Sequence, residues 1–212
     1  MLAALFDLDG TLFDSLGVWA DIDRRFFAER GLTMPEDYTA SISGLSFIQT
    51  AQYTKERFGL TQSPEQIAAI WHEMCREAYV DRVALKPGAA EYLAGLRGAG
   101  LKLAVVTTLT EELYAPALKR NGVYDLFDTF ATTDETGLHK RTGEIYLLAA
   151  RRLAVQPRDC AVFEDIIEGI EGAKAAGMTA CLVYDRHNGR LDTAKQLCDH
   201  YIETYEGISL WI

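Results

Sequence analysis

Cysteine is scarce in this chain and follows no pattern. The four residues, Cys75, Cys160, Cys181 and Cys198, include no C-x-x-C pair, so neither a thiolate metal site nor a disulfide framework is expected. Cys160 and Cys181 fall in apolar runs that read as buried strands, where the thiol behaves as a small hydrophobe. Histidine is as thinly spread. His72, His139, His187 and His200 are far apart, and His72-Glu73 lacks the second histidine four residues on that a zincin helix needs. Long apolar runs are missing too. Stretches such as 101–108 and 180–184 fall far short of the ~20 residues that span a bilayer, and charge arrives at Asp7, leaving no room for the apolar core of a signal peptide. Basic residues are the last shortage: 21 Lys and Arg face 31 Asp and Glu, for a formal net charge of −10. A field of that sign repels nucleic acid and anionic lipid. The expectation is a cytoplasmic protein without nucleic-acid or membrane partners, in which any anionic substrate is held by local cations.

What is present is ordinary globular material: 212 residues, 49% apolar and 25% charged, enough for one large domain or a core with a modest insertion. Residues 2–8 form a short apolar run closed by Asp9-Gly10, which reads as a buried strand ending in a turn. From Ser15 to about Arg82 the period changes. Trp19, Ile22, Phe26 and Phe27 recur at helical spacing, as do Ile48, Tyr53 and Phe58, then Ile67, Ile70, Trp71 and Met74. Pro35, Gly44 and the segment 59–64 divide this stretch into helices, with Ser63-Pro64 as cap and first-turn proline.

After Lys86-Pro87-Gly88, helix and strand alternate: helix 89–97, strand 101–107, helix 111–121, a short strand 129–132, helix 143–153, strand 160–163, helix 168–176 and strand 179–184. The tail from Gly189 is less periodic and is assigned no element. Alternation with continuous apolar strands implies an α/β fold, a Rossmann-like doubly wound parallel sheet with helices on both faces. The core comprises residues 1–14 and 84–212, and residues 15–83 are an inserted all-helical domain.

Ligands of open parallel sheets bind outside the carboxyl ends of the strands. That edge carries Asp7 and Asp9 after the first strand, Thr107 and Thr108 after the second, and Glu164 with Asp165 after Phe163; Lys140 lies in a loop before a helix. Several carboxylates, a hydroxyl pair and one lysine suit a divalent cation and a phosphate. A phosphate monoester repels an attacking carboxylate unless a hard cation screens both, and an all-oxygen ligand set favours Mg2+ over zinc. Asp7 could then attack phosphorus, splitting hydrolysis into formation and breakdown of an aspartyl phosphate. Asp9 could protonate the leaving oxygen and later deprotonate water. Lys140, the Thr107 hydroxyl and backbone N–H groups near Thr108 would hold the transferring oxygens. Singly, each has a bland reading as turn, strand or cap residue; together, in this order, they are hard to obtain by chance.

These residues resemble the haloacid dehalogenase-like hydrolase superfamily over essentially the whole chain, in the helical-cap branch that includes phosphoglycolate phosphatases and β-phosphoglucomutase. The first motif, Phe6-Asp7-Leu8-Asp9-Gly10-Thr11-Leu12-Phe13-Asp14-Ser15, is the most specific. The resemblance implies Asp7 as nucleophile and metal ligand, and Asp9 as acid/base whose carbonyl joins the metal. Phe163-Glu164-Asp165, running into Gly169, Ala173, Ala176, Gly177 and Met178, implies Asp165 as a direct metal ligand and Glu164 as a direct or water-mediated one. Gly172, where alanine is usual, should cost about 1 kcal/mol in helix propensity. The middle motifs depart from the pattern. Thr107 is followed by Thr108 where Asn is usual, and His139-Lys140-Arg141 replaces Gly-Lys-Pro. Loss of the prolines should loosen the Lys140 loop, and Arg141 is either a second cation for the site or, the favoured reading, a solvated side chain.

The insertion would close over the strand ends as a lid, hinged near 14–17 and 83–88. Gly44-Leu45-Ser46 resembles the cap loop that meets substrate, and Trp19, Gly44, Ser46 and Phe47 are the cap candidates. Arg24, Arg25, Lys55, Arg57 and Arg76 read as solvated helix charges. Mutases of this branch carry histidine where Trp19 stands and arginine where Phe47 stands. The histidine adjoins the acid/base and the arginine grips a distal phosphate, tasks that an indole and a phenyl ring are expected not to perform. The expected function is therefore a Mg2+-dependent phosphatase acting on a small-molecule phosphate ester, as monomer or weak dimer. A β-phosphoglucomutase-like mutase is the alternative, a non-catalytic phosphate-binding module a remoter one. A dehalogenase would lack the second aspartate that Asp9 supplies.

Overall fold

In the computed structural model, whose described residues are 1–208, the apolar runs become the strands of one parallel sheet. The first strand is β1 (Ala3–Phe6), followed by four helices, α1 (Leu16–Ala28), α2 (Tyr38–Ile42), α3 (Phe47–Phe58) and α4 (Pro64–Asp81). Then come α5 (Ala89–Gly98), β2 (Lys102–Thr107), α6 (Glu111–Arg120), β3 (Thr129–Thr132), α7 (Thr133–Thr136), α8 (Glu144–Leu153), β4 (Cys160–Glu164), α9 (Ile167–Ala175), β5 (Thr179–Val183), α10 (Leu191–Leu197) and β6 (His200–Ile202). The spatial order is β3-β2-β1-β4-β5-β6, with every pairing parallel. The chain thus moves outward from β1 to β3, then returns to lay β4 on the other edge of β1. A crevice forms where the order reverses.

Strand periodicity sorts side chains onto two faces. Ala4, Phe6, Leu103, Val105, Phe163 and Cys181 pack into one apolar cluster, while their neighbours Leu5, Ala104, Val106, Val162 and Leu182 enter another beneath α8 and α9. Both faces are covered, which is why the strands are apolar without interruption. The four inserted helices share an aromatic core in which Phe26 meets Trp71 at 4.9 Å and Phe27 meets Phe58 at 4.8 Å between ring centroids. Ser46 with Gln49 and Ser63 with Gln66 form capping boxes, the second followed by Pro64 in the first turn. The two segments joining these helices to the sheet run side by side: Phe13 bridges Leu85, and the Asp14 N–H donates to the Ala84 carbonyl at 3.0 Å.

The tail after Gly189 requires a correction, because it contains α10 and the edge strand β6. Both are short and bury little, Ala194 in the helix and Ile202 in the strand, so neither leaves a periodic trace in the sequence.

Candidate active site

Phe6 lies in register with Phe163, so the following residues, Asp7 and Glu164, sit at one level on adjacent strands. Asp165 is one residue further along. The three carboxylates are buried, and one oxygen from each lies within 4.8 Å of the others. Lys140 is drawn into this group, its Nζ donating to Asp7 Oδ1 at 2.6 Å and to Glu164 Oε1 at 2.7 Å. Tyr146 also donates to Glu164 Oε1, at 2.7 Å. Burial penalises the Lys140 ammonium, but the Asp7 and Glu164 carboxylates outweigh it and hold the lysine above its ordinary pKa. Burial likewise pushes Glu164 up to about 7 and raises Asp165, which also feels Asp7 and Glu164.

One lysine does not balance three carboxylates. Glu164 Oε2 and Asp165 Oδ2 are buried with no hydrogen-bond partner, and a Cβ at Gly10 would come within 2.3 Å of Asp165 Oδ2. Hard oxygen donors, unpartnered and crowded in a small space, fit a divalent cation. Glu164 lies behind Lys140 with no exposure, whereas Asp7, Asp9, Thr108, Lys140 and Asp165 line a cavity of about 490 Å³ roofed by the inserted helices.

Asp9 points to the helical side. Ser15 donates to its Oδ1 at 2.5 Å, Tyr79 to the same oxygen, and the Trp19 indole N–H to Oδ2 at 3.1 Å. Burial pushes the Asp9 carboxyl up to about 6; the Ser15 and Tyr79 bonds pull against that, and the Asp7 charge adds to it. The contact with Trp19 corrects the expectation that an indole cannot engage the acid/base: its N–H reaches both Asp9 and the Tyr79 hydroxyl, the latter at 2.6 Å.

The remaining candidates divide. Trp19, Gly44 and Phe47 line the cavity, with the Trp19 and Phe47 rings edge to face at 5.5 Å. Ser46 is buried and caps α3 by accepting from the Gln49 N–H at 3.4 Å, so its hydroxyl is occupied away from the cavity wall. Thr107 is buried and accepts the Leu109 N–H at 3.1 Å, leaving its own proton to donate. Arg141, its side chain 54% exposed, reaches Glu171 at 2.6 Å and Glu168 at 3.3 Å from the solvent side.

The Lys140 loop is a 3₁₀ turn, Lys140–Thr142, braced where the prolines are missing. His139 Nδ1 accepts the Arg141 N–H at 3.1 Å, and the Thr142 hydroxyl donates to the His139 carbonyl at 2.9 Å. The turn packs directly on α9, where a Cβ at position 172 would stand 2.1 Å from the Lys140 carbonyl oxygen. Gly172 therefore exchanges helix propensity for the close approach that seats Lys140, which corrects its reading as a plain cost.

Sequence reasoning missed several contacts. Ser15 and Tyr79 hold Asp9. Ser43 joins the helical insertion to the sheet domain: its hydroxyl donates to Glu168 Oε2 at 2.8 Å, and its carbonyl lies 3.0 Å from His139 Nε2. Arg190 grips both oxygens of Glu168, at 2.7 and 2.8 Å. Asp23 lines the cavity as well, and burial pushes its carboxyl up to about 7. A signal for it was present: Trp19, Ile22, Asp23, Phe26 and Phe27 follow the i, i+3, i+4, i+7, i+8 pattern of one helix face, so a carboxylate interrupts an apolar stripe.

The sequence model of the haloacid dehalogenase-like hydrolases matches residues 4–183. The phosphorylated carbohydrates phosphatase of Thermotoga maritima is 30% identical over 178 residues, covering 84% of this chain and 82% of that one. Protein CbbY of Cereibacter sphaeroides is 31% identical over 220 residues, covering 95% and 93%. Among solved structures, β-phosphoglucomutase from Clostridium difficile superposes with a TM-score of 0.84 at 20% identity, covering 99% of this chain and 94% of that chain. At that identity the likeness carries the fold alone.

Proposed function

The chain belongs to the haloacid dehalogenase-like hydrolases, and from that premise we propose that it is a Mg2+-dependent phosphatase, cleaving a small-molecule phosphate monoester with Asp7 as nucleophile. The observation that carries this reading is the buried group of Asp7, Glu164, Asp165 and Lys140 at the floor of a cavity that also holds Asp9. Asp7, Asp165 and Glu164 would hold the cation, with Asp9 adding its backbone carbonyl. When bound, Mg2+ supplies positive charge against the phosphoryl oxygens.

Asp7 then forms a bond to phosphorus as the ester oxygen leaves, giving an aspartyl phosphate. Asp9, whose carboxyl burial pushes up to about 6, gives its proton to that leaving oxygen. As a carboxylate it next takes a proton from the water that attacks the aspartyl phosphate, releasing inorganic phosphate and restoring Asp7. Lys140 and the Thr107 hydroxyl face the charge that spreads over the transferring oxygens. The helical insertion acts as the lid, and the Ser43–Glu168 contact is its clasp in the closed state.

The test is product analysis. With β-glucose 1-phosphate and a trace of glucose 1,6-bisphosphate, a phosphatase of this kind releases free phosphate faster than it forms glucose 6-phosphate. The reverse ratio would make the chain a mutase, the reading that the β-phosphoglucomutase fold keeps open. Chelation gives a second expected result: activity is lost in excess chelator and returns with Mg2+, because the single Lys140 ammonium does not balance three carboxylates. Full activity without divalent cation would remove the metal from this account.

A further inference from the structure

His139 faces two ways. Its Nδ1 accepts the Arg141 N–H at 3.1 Å, inside the turn that carries Lys140, and its Nε2 lies 3.0 Å from the Ser43 carbonyl oxygen, on the segment joining α2 to α3 in the helical insertion. The tautomer follows from these partners. A backbone N–H only donates and a carbonyl only accepts, so Nδ1 is bare and Nε2 holds the single ring proton, which it donates to Ser43. One rigid ring therefore joins the lid to the Lys140 turn. Gly44 lets the two meet: its φ is 75°, and a Cβ there would stand 2.8 Å from His139 Cε1. The Gln49 side chain adds a second tie, donating to the Gly137 carbonyl at 3.2 Å. Gly137 and Gly143, both with left-handed φ, bound the segment so touched, and Lys140 lies within it.

Resting on the phosphatase reading above, we propose that His139 is a positioning residue that makes the seating of Lys140 depend on closure of the lid. With the insertion down, the Ser43 carbonyl fixes the plane of the imidazole. The fixed plane holds Nδ1 against the Arg141 N–H, and that bond sets the turn from which Lys140 reaches Asp7 and Glu164. With the insertion lifted, Nε2 loses its acceptor, the ring turns about its side-chain bonds, and the Arg141 N–H loses its cap. The turn lacks the prolines that would hold it independently of the lid. Lys140 is thus well placed against the transferring oxygens in the covered state, where water is excluded, and poorly placed in the uncovered one. A misplacement of about 1 Å suffices to cost ~10²-fold in rate.

The tautomer is read first, without substrate or turnover. In protein carrying isotope-labelled histidine, nitrogen NMR at pH 8 should show a bare Nδ1 and a protonated Nε2 for the His139 ring, assigned by its loss in His139→Asn. The reverse tautomer, or a ring exchanging between both forms, would overturn the proposal. The second measurement is kinetic, with a chromogenic phosphate ester and Mg2+. His139→Ala should lower kcat by at least about tenfold. His139→Asn should recover most of that loss, because its Oδ1 stands in place of Nδ1 and caps the Arg141 N–H; its KM should stay above the parent's, because the shorter side chain does not reach Ser43. His139→Gln should do the opposite, its longer amide reaching Ser43 while the Arg141 N–H stays uncapped and kcat stays low. Gly44→Ala pushes the lid segment off the ring. Its effect on kcat should be at least about threefold larger in the parent than in the His139→Asn background, where the brace no longer depends on the lid. Equal kcat in His139→Ala and His139→Asn, or equal Gly44→Ala effects in the two backgrounds, would overturn the coupling. Should Gly44→Ala fail to fold, the alanine, asparagine and glutamine series decides alone. A chain with the expected tautomer that releases no phosphate would remove the phosphatase reading and this role together, whereas ordinary release with equal losses would remove the role alone.

Discussion

Asp7→Asn is expected to lower phosphate release by at least about 10⁴-fold, in line with the loss of a covalent nucleophile elsewhere. The substitution is nearly isosteric, so packing at the end of β1 is preserved. Lys140 keeps its bond to Glu164 Oε1 at 2.7 Å when it loses the one to Asp7, and the buried cluster drops from three carboxylates to two. The variant should therefore fold and melt no lower than the parent. What disappears is the charged oxygen proposed to attack phosphorus, and Asp9, bound by Ser15, Trp19 and Tyr79, is not placed to replace it. Free phosphate and thermal melts on one preparation check the two halves together. A variant free of parent enzyme that kept a tenth of the rate would move the chemistry to another residue.

That the sequence exposed Asp7, Glu164 and Asp165 follows from how parallel sheets work. Apolar runs of four to six residues mark strands buried on both faces, and the first polar residues after them stand at the ligand edge without any knowledge of tertiary contacts. The same logic gives nothing for groups that meet across the chain. Tyr79 joins Asp9 from 70 positions away, and its hydroxyl ends an otherwise apolar stripe of α4. The brace on the Lys140 loop is distant in the same way: two prolines look lost locally, yet Gly172, in a different helix, lets the turn pack against α9. Trp19 was misjudged for a further reason. An indole was weighed as a hydrophobic ring, and its single N–H donor decided its role. The strand β6 escaped notice because an edge strand of three residues with one buried side chain lacks the alternation that betrays a longer one.

Lys140→Ala carries the second large effect, and it divides into two measurable parts. In the intact chain the ammonium is buried between Asp7 and Glu164, at 2.6 and 2.7 Å. Its removal leaves three buried carboxylates without a counter-charge, and breaking a buried pair from one side typically costs about 3 to 5 kcal/mol. The metal-free variant should therefore melt well below the parent. A divalent cation held by the same carboxylates, as proposed, would neutralise them, so Mg2+ should raise the melting temperature of the variant by more than that of the parent. Stability is thus recovered in part, but catalysis is not. The cation cannot reproduce a preorganised N–H donor aimed at the transferring phosphoryl group, and loss of one such donor typically slows a reaction by ~10² to 10³. Phosphate release at saturating Mg2+ reads that second part alone, after the metal has restored the fold. A loss below threefold under those conditions would mean that Lys140 serves only to balance the carboxylates, and that the phosphoryl oxygens are held by other donors at the cavity floor.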